Sequence, residues 1–417
     1  MDDRAQLLAW IEEEKDRIIA FFQDFVRAPS PNPPGDTTEA VAHITRFLEA
    51  EGLPFRLVDP QPTMANVVGT IEGPKPGRHL VLNGHIDVFP VDPDPGSEGW
   101  THDPWGGEIV DGRLYGRGST DMKAGTSASI WTYALLARLK DRLKGKLTLT
   151  CVSDEETFGP WGARWLMEHE PEVRGDCCLN GEPSSPFSVR FGEKGLMWLT
   201  FTVKTKGAHG AYTHASRSAS RIAAALIRDL EAIEDLEVDL PDNLMRAQLE
   251  AKGATDRAMG PGAAQVLPKA TLNIGTIQAG LKNNMIPHTC TFTADIRLPV
   301  GVTRDQVMTQ VEKIAARHPA ATFTEDHCNP PSWCDPAGEM LEIIQNNVVE
   351  LGHERPIPVV SIGATDTRLW RWADIPAYVY GPFPEGMGSS DENVPVEDYL
   401  HVVRTHVLSA YDYLMAS

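Results

Sequence analysis

The sequence predicts an α/β fold: a mostly parallel sheet flanked by helices, with a smaller α+β domain of ferredoxin-like type inserted in it. Three observations lead there. Short apolar runs alternate with helical patterns through the N-terminal part of the chain. A strand–helix–strand–strand–helix–strand order occupies the middle. The length of 417 residues suits two domains at about 100–200 residues each.

Residues 3–28 place Leu7, Leu8, Ile11, Ile18, Phe21, Phe22 and Phe25 near helical spacing. A Pro-rich break at 29–35 stops that pattern, and 37–51 returns to helix. Strand-like runs follow at 55–58, 66–71 and 79–82, the last leading into Asn-Gly-His-Ile-Asp. A helix is expected over 121–140 and a buried strand over 147–152. The middle reads as strands at 196–205, 271–278, 289–298 and 321–325, with helices at 218–233 and 304–317 and a loop-rich stretch at 234–268. The expected division is a larger domain of residues 1–194 and 327–417, with a smaller domain of residues 195–326 inserted in it.

A formal charge of -20 excludes a basic footprint for nucleic acid or an anionic membrane surface. The N-terminus lacks a basic start followed by an apolar run, and no apolar stretch approaches the ~20 residues of a membrane span. The six cysteines show no C-x-x-C spacing. Buried thiols in a reduced, cytoplasmic setting are the expectation.

Four segments could carry chemistry. In Gly84-His85-Ile86-Asp87, extended backbone puts His85 and Asp87 on one face, just beyond an apolar strand. Ligands of open parallel sheets sit at such strand ends; a satisfied structural histidine is the bland alternative. Gly116-Arg117-Gly118-Ser119-Thr120-Asp121 is a tight loop whose acid either caps the next helix or binds metal. Asp154-Glu155-Glu156 ends the buried strand 147–152. Three acids there repel one another and call for a cation, unless the loop is simply solvated. Glu182 follows the apolar run at 179, as a ligand or an ordinary loop acid. Carboxylates and an imidazole from four segments suit manganese or zinc.

The order and spacing of these segments resemble the metallopeptidase family of acetylornithine deacetylase, succinyl-diaminopimelate desuccinylase, aminoacylase and carboxypeptidase G. Further matches are Gly207-Ala208-His209, Asn284-Met285-Ile286-Pro287, Asp295-Ile296-Arg297 and Gly363-Ala364-Thr365-Asp366. The resemblance spans essentially the whole chain. It implies that His85 and Glu182 each bind one metal of a pair bridged by Asp121, that Asp87 orients His85, that Glu155 is the general base and that Glu156 binds the second metal. It also implies that His209 reaches the active site of a partner subunit, in a homodimer or higher homo-oligomer. Asn284 and Arg297 would contact a carboxylate of a small-molecule substrate.

One position departs from that pattern. The family's last metal ligand is a histidine four residues before a glutamate; with Glu392 as that glutamate, Gly388 occupies the histidine's place. One well-formed metal site with a weak second one is therefore expected, and Ser389 is a candidate substrate contact. The favoured reaction is that of a branch resembling 5-nitroanthranilate aminohydrolase, which replaces the amino group of an electron-poor aromatic ring by hydroxyl and releases ammonia. Phe158, Trp161 and Tyr212 would line a ring pocket. Two alternatives stand beside it: a deacylase of N-acyl amino acids or a dipeptidase or carboxypeptidase, and a non-catalytic binding protein of the same fold.

Overall fold

The computed structural model describes residues 2–416. Its large sheet has nine strands. Lys75–His85 lies at its centre, parallel to Lys144–Val152 on one side and to Cys177–Asn180 on the other. Ala377–Val379 continues the parallel set beyond Cys177–Asn180. Antiparallel pairs complete the edges, where Asn66–Glu72 joins Lys144–Val152 and Ser332–Trp333 joins Ser188–Glu193. The central strands are apolar on both faces, as Leu80, Val81 and Leu82 show, because helices cover both sides. The helices Ala124–Ala137 and Val396–Met415 pack together against the central strands.

The expected N-terminal helix is two helices, Asp3–Glu13 and Lys15–Val26. The helix expected from residue 121 begins at Ala124 instead. Residues Ser119–Lys123 are irregular, so Asp121 caps no helix.

A second sheet has four antiparallel strands in the order Thr271–Ala279, Thr289–Leu298, Gly195–Lys204, Ala321–Asn329. This is the ferredoxin-like arrangement, with Ala219–Leu230 and Arg304–Ala315 packed on it. Strand Thr289–Leu298 alternates half-buried and buried residues without a break, as expected of a strand with one face on a core.

The stretch expected to be loop-rich contains three short helices, Asp242–Glu250, Lys252–Met259 and Ala263–Val266. It packs on the large domain: Leu244 and Leu267 join the main core, and Ala251 and Ala254 pack on Val359. The chain therefore crosses between the two cores four times, at 194/195, near 239, near 269 and near 330.

Candidate metal centre and active site

His85 is the last residue of its strand, and Glu182 follows the end of the neighbouring parallel strand. Both project from the carboxyl end of the sheet, where a parallel sheet places its ligand crevice. Asp121 arrives from the irregular turn before helix Ala124–Ala137. His85 Nε2 lies 3.1 Å from Asp121 Oδ1 and 3.3 Å from Glu182 Oε1. One ligand atom from each residue falls within 4.8 Å of the others. An imidazole nitrogen and two carboxylates so placed fit a divalent cation in donor type and spacing.

The histidine is aimed by its other nitrogen. His85 Nδ1 lies 2.8 Å from the main-chain carbonyl of Asp87, which can only accept, so Nδ1 carries a proton and Nε2 is the nitrogen whose lone pair a metal would take. The Asp87 carboxylate is 3.6 Å from that ring. It accepts instead from Asn32 Nδ2 at 2.9 Å and from the N–H groups of Glu155 and Glu156 at 3.2 and 3.1 Å. Orientation of His85 thus comes mainly from the backbone of Asp87, while the side chain builds the turn that carries the two glutamates.

That turn separates the three consecutive acids into different tasks. Asp154 accepts from Thr157 Oγ1 at 2.6 Å and from the Trp161 N–H at 3.1 Å, and so closes its own loop. Gly159 packs on this carboxylate, where a Cβ would stand 1.7 Å from Asp154 Oδ2. Glu155 is buried and accepts from Arg368 Nη1 at 3.1 Å. Burial pushes the Glu155 carboxyl well above the usual range, partly countered by Arg368 and reinforced by Asp366. Glu156 is raised as well, by burial and then by Asp121. Glu156 is not among the three residues whose ligand atoms converge.

The same crowding acts on the ligands. Burial raises Glu182 to about 7, helped by Asp121 and opposed by His85. Burial alone would lower His85, but Glu182, Asp121 and Asp87 outweigh it and raise the ring well above its ordinary value. Without a cation the cluster retains protons; a divalent ion is the charge that replaces them.

Asp121 is held by a residue far along the chain. Glu392 Oε1 accepts from the N–H groups of Thr120 and Asp121 at 2.9 and 3.0 Å, and Glu392 Oε2 pairs with Arg117 Nη1 at 2.8 Å. Glu392 is buried, and its task is to fix the Asp121 turn. Nearby, Gly388 has φ +73°, and a Cβ there would meet the ring of Phe89 at 3.0 Å. The Ser389 hydroxyl donates to the Gly386 carbonyl at 2.8 Å, within its own loop.

A cavity of about 480 Å³ opens beside Asp121 and Glu182. None of His209, Asn284, Arg297 or Ser389 lines it. His209 is exposed on a two-stranded ribbon opposite Met285, and the Asn284 carbonyl accepts from the Gly210 N–H at 2.7 Å. Arg297 pairs with Asp295 at 3.0 Å on the small sheet. The aromatics expected around a ring substrate do not line this cavity either, although the Arg368 guanidinium lies 5.1 Å from the Phe158 ring centre. Phe158 stacks on His327, Trp161 packs against Trp165, and Tyr212 is exposed beside His209.

Sequence reasoning missed Asn32, Arg190 and Arg368, and placed Glu392 only by its position. Arg368 stands two residues beyond the Gly363–Asp366 motif, which is the one signal that pointed to it.

Residues 81–412 match the model of peptidase family M20/M25/M40. The chain is 30% identical over 390 residues to a succinyl-diaminopimelate desuccinylase of Cereibacter sphaeroides, covering 91% of this chain and 94% of the relative. An M20 family metallo-carboxypeptidase from Sulfolobus solfataricus superposes with a TM-score of 0.78 at 17% identity, over 95% of this chain and 99% of that one. The di-peptidase Dug1p of Saccharomyces cerevisiae gives 0.78 at 13% identity, over all of both chains. These relatives act, by name, on amide-type bonds, and none supports the expected aromatic aminohydrolase; the deacylase or dipeptidase alternative is the better supported. No helix among the described residues is long and apolar enough to cross a membrane. With its convergent ligands, its fold and its matched length taken together, this chain belongs to peptidase family M20/M25/M40, a family of metal-dependent hydrolases acting on C–N bonds.

Proposed function

We propose that the protein hydrolyses the amide bond of a small carboxylate-bearing substrate, an N-acyl amino acid or a dipeptide. The observation that carries this reading is the convergence of His85, Asp121 and Glu182 next to a buried Glu155. His85, Asp121 and Glu182 would hold one divalent ion, zinc or manganese, with Glu156 as a candidate ligand of a weaker second one. When bound, such an ion lowers the pKa of a water to about 7 and polarises a carbonyl.

Glu155 would accept a proton from the attacking water and pass it to the leaving nitrogen. Its raised proton affinity suits both halves of the task, because a carboxylate of ordinary pKa would give the proton back too readily to solvent. Arg368 holds the carboxylate in place through Nη1. Met259, Phe383, Pro384 and Met387 give the cavity an apolar wall against which a substrate side chain would pack. His209 and Arg297 would assist if the small sheet, or that of a second subunit, closes over the cavity.

The test is a substrate panel on protein loaded with zinc or with manganese: N-acetyl and N-succinyl amino acids, dipeptides and 2-aminobenzoates. Hydrolysis of an amide member, lost in Glu155→Gln with metal content unchanged, is expected. Ammonia release from an aminobenzoate alone, or no turnover of any amide, would overturn the reading.

A further inference from the structure

Arg190 stands on strand Ser188–Glu193 beneath the cavity beside Asp121 and Glu182, and its side chain lines that cavity. It is 8% exposed. Its guanidinium makes no hydrogen bond or ion pair with any described residue, and Nε is buried without a partner. The neighbouring acids are already engaged. Glu193 accepts from Thr365 Oγ1 at 2.9 Å and Arg371 Nη1 at 3.2 Å, and Glu182 faces His85 at 3.3 Å. Arg257, the other cation on the cavity wall, pairs with Glu354 and lies over the Phe187 ring.

A buried guanidinium with five donors and no acceptor is costly, and an apolar residue of similar size would be more stable there. Its planar fork matches a carboxylate in two parallel hydrogen bonds. With a divalent ion offsetting Asp121 and Glu182, it is the uncommitted charge that an entering substrate meets.

Resting on the amide-hydrolase reading above, we propose that Arg190 selects substrates whose arm in this cavity ends in a carboxylate. The substrate class is then a dianionic amide, with one carboxylate on each side of the bond that breaks. The terminal carboxylate can come from an ω-carboxyacyl chain or from an acidic N-terminal residue, and the experiment separates these sources.

The experiment compares N-succinyl-L-alanine with its N-succinamoyl analogue, in which a carboxamide replaces the terminal carboxylate, and Glu-Ala with Gln-Ala. One acid–amide pair should show about a tenfold or greater preference for the acid in kcat/KM, as a charge-assisted pair implies. Which pair does so identifies the source. In Arg190→Met that preference should fall to about twofold through a higher KM for the acid, with a much smaller change for the carboxamide, while Arg190→Lys keeps part of it. Equal rates for acid and amide in the native protein, or an equal loss on both in Arg190→Met, would overturn the proposal. The native-protein comparison needs no variant, so it decides even where Arg190→Met fails to fold. Calorimetry of the zinc-loaded protein with succinate and butyrate provides a readout without turnover. Binding of succinate about tenfold tighter supports the assignment of Arg190, and equal binding sinks it. A succinate preference with no amide hydrolysis would refute the reaction and leave the anion site standing.

Discussion

The backbones of Gly125 and Gly181 touch: a Cβ built on Gly125 would stand 2.0 Å from the Gly181 carbonyl oxygen, and one on Gly181 would stand 2.4 Å from Gly125 Cα. This contact lets the first turn of helix Ala124–Ala137 approach the turn that bears Glu182. Asp121 and Glu182 reach a common point because of it. Gly181→Ala must push the two segments apart, at about 1–3 kcal/mol of stability. Divalent-ion affinity, measured by chelator competition, should fall with the melting temperature. Native affinity in a destabilised variant would show that the contact does not set the ligand geometry.

Removing the charge beside Glu155 should move the pH profile. Arg368 lowers the proton affinity of Glu155, against a larger rise caused by burial. In Arg368→Met the Glu155 carboxyl should hold its proton to higher pH, so the acid limb of kcat/KM shifts upward and the rate near pH 7 falls. Glu155→Gln should cost about 10²–10⁴ in kcat while retaining the metal. An unshifted acid limb in Arg368→Met would separate Arg368 from the base.

Metal affinity should climb with pH through neutrality. Glu182 titrates at about 7 without a cation, raised from the usual carboxylate range. Binding displaces that proton, so apparent affinity weakens below pH 7. The stability of the metal-free protein has the opposite slope. A raised carboxyl pKa adds stability that is present in full below the unfolded value, near 4.5, and is lost as pH rises through about 7. Calorimetric melting at pH 5 and pH 8, with and without zinc, checks both signs. A metal-free protein that gains stability from this cluster on going to pH 8 would contradict them.

Glu392 binds no metal in this arrangement, yet its loss should weaken metal binding. Glu392→Gln leaves Arg117 buried with its ion pair broken and loosens the N–H of Asp121. About 3 kcal/mol of stability and about 10–100-fold in metal affinity are the expected losses. Chemical denaturation and elemental analysis read the two separately.

Much of this site could be read along the chain because each ligand sits at a local boundary. His85 and Glu182 end apolar strands and Asp121 follows a Gly-rich turn, and hydropathy marks such positions without knowledge of distant contacts. The partners of these residues left no comparable trace. Arg368 lies 213 residues from Glu155, and Glu392 lies 271 from Asp121. Packing brings them together, and no periodicity encodes it. Asp121 looked like a helix cap because acid before an apolar helix is the usual signature; the turn at 119–123 is irregular, and Glu392 supplies its hydrogen-bond acceptors instead. The helices between 242 and 266 escaped notice because they are short and sparsely apolar, with burial that depends on a neighbouring domain's surface. The expected aromatic chemistry drew no support from the relatives, which favour the deacylase or dipeptidase alternative. It rested on the glycine at 388 and on aromatics that stand near the motifs in sequence but do not line the cavity.

The four passages of the chain between its two cores work as a brace. A lobe hung from two adjacent strands can swing through a wide arc, as clamshell proteins do. Here the shortest passage, Lys194 to Gly195, has no slack, and Lys194 Nζ ties it to the carbonyls of Val266 and Lys269 at 3.1 and 2.6 Å. Any closure of the lobe over the cavity must therefore bend the chain at all four passages together, while the helix Lys252–Met259 stays with the large domain on which Ala254 packs.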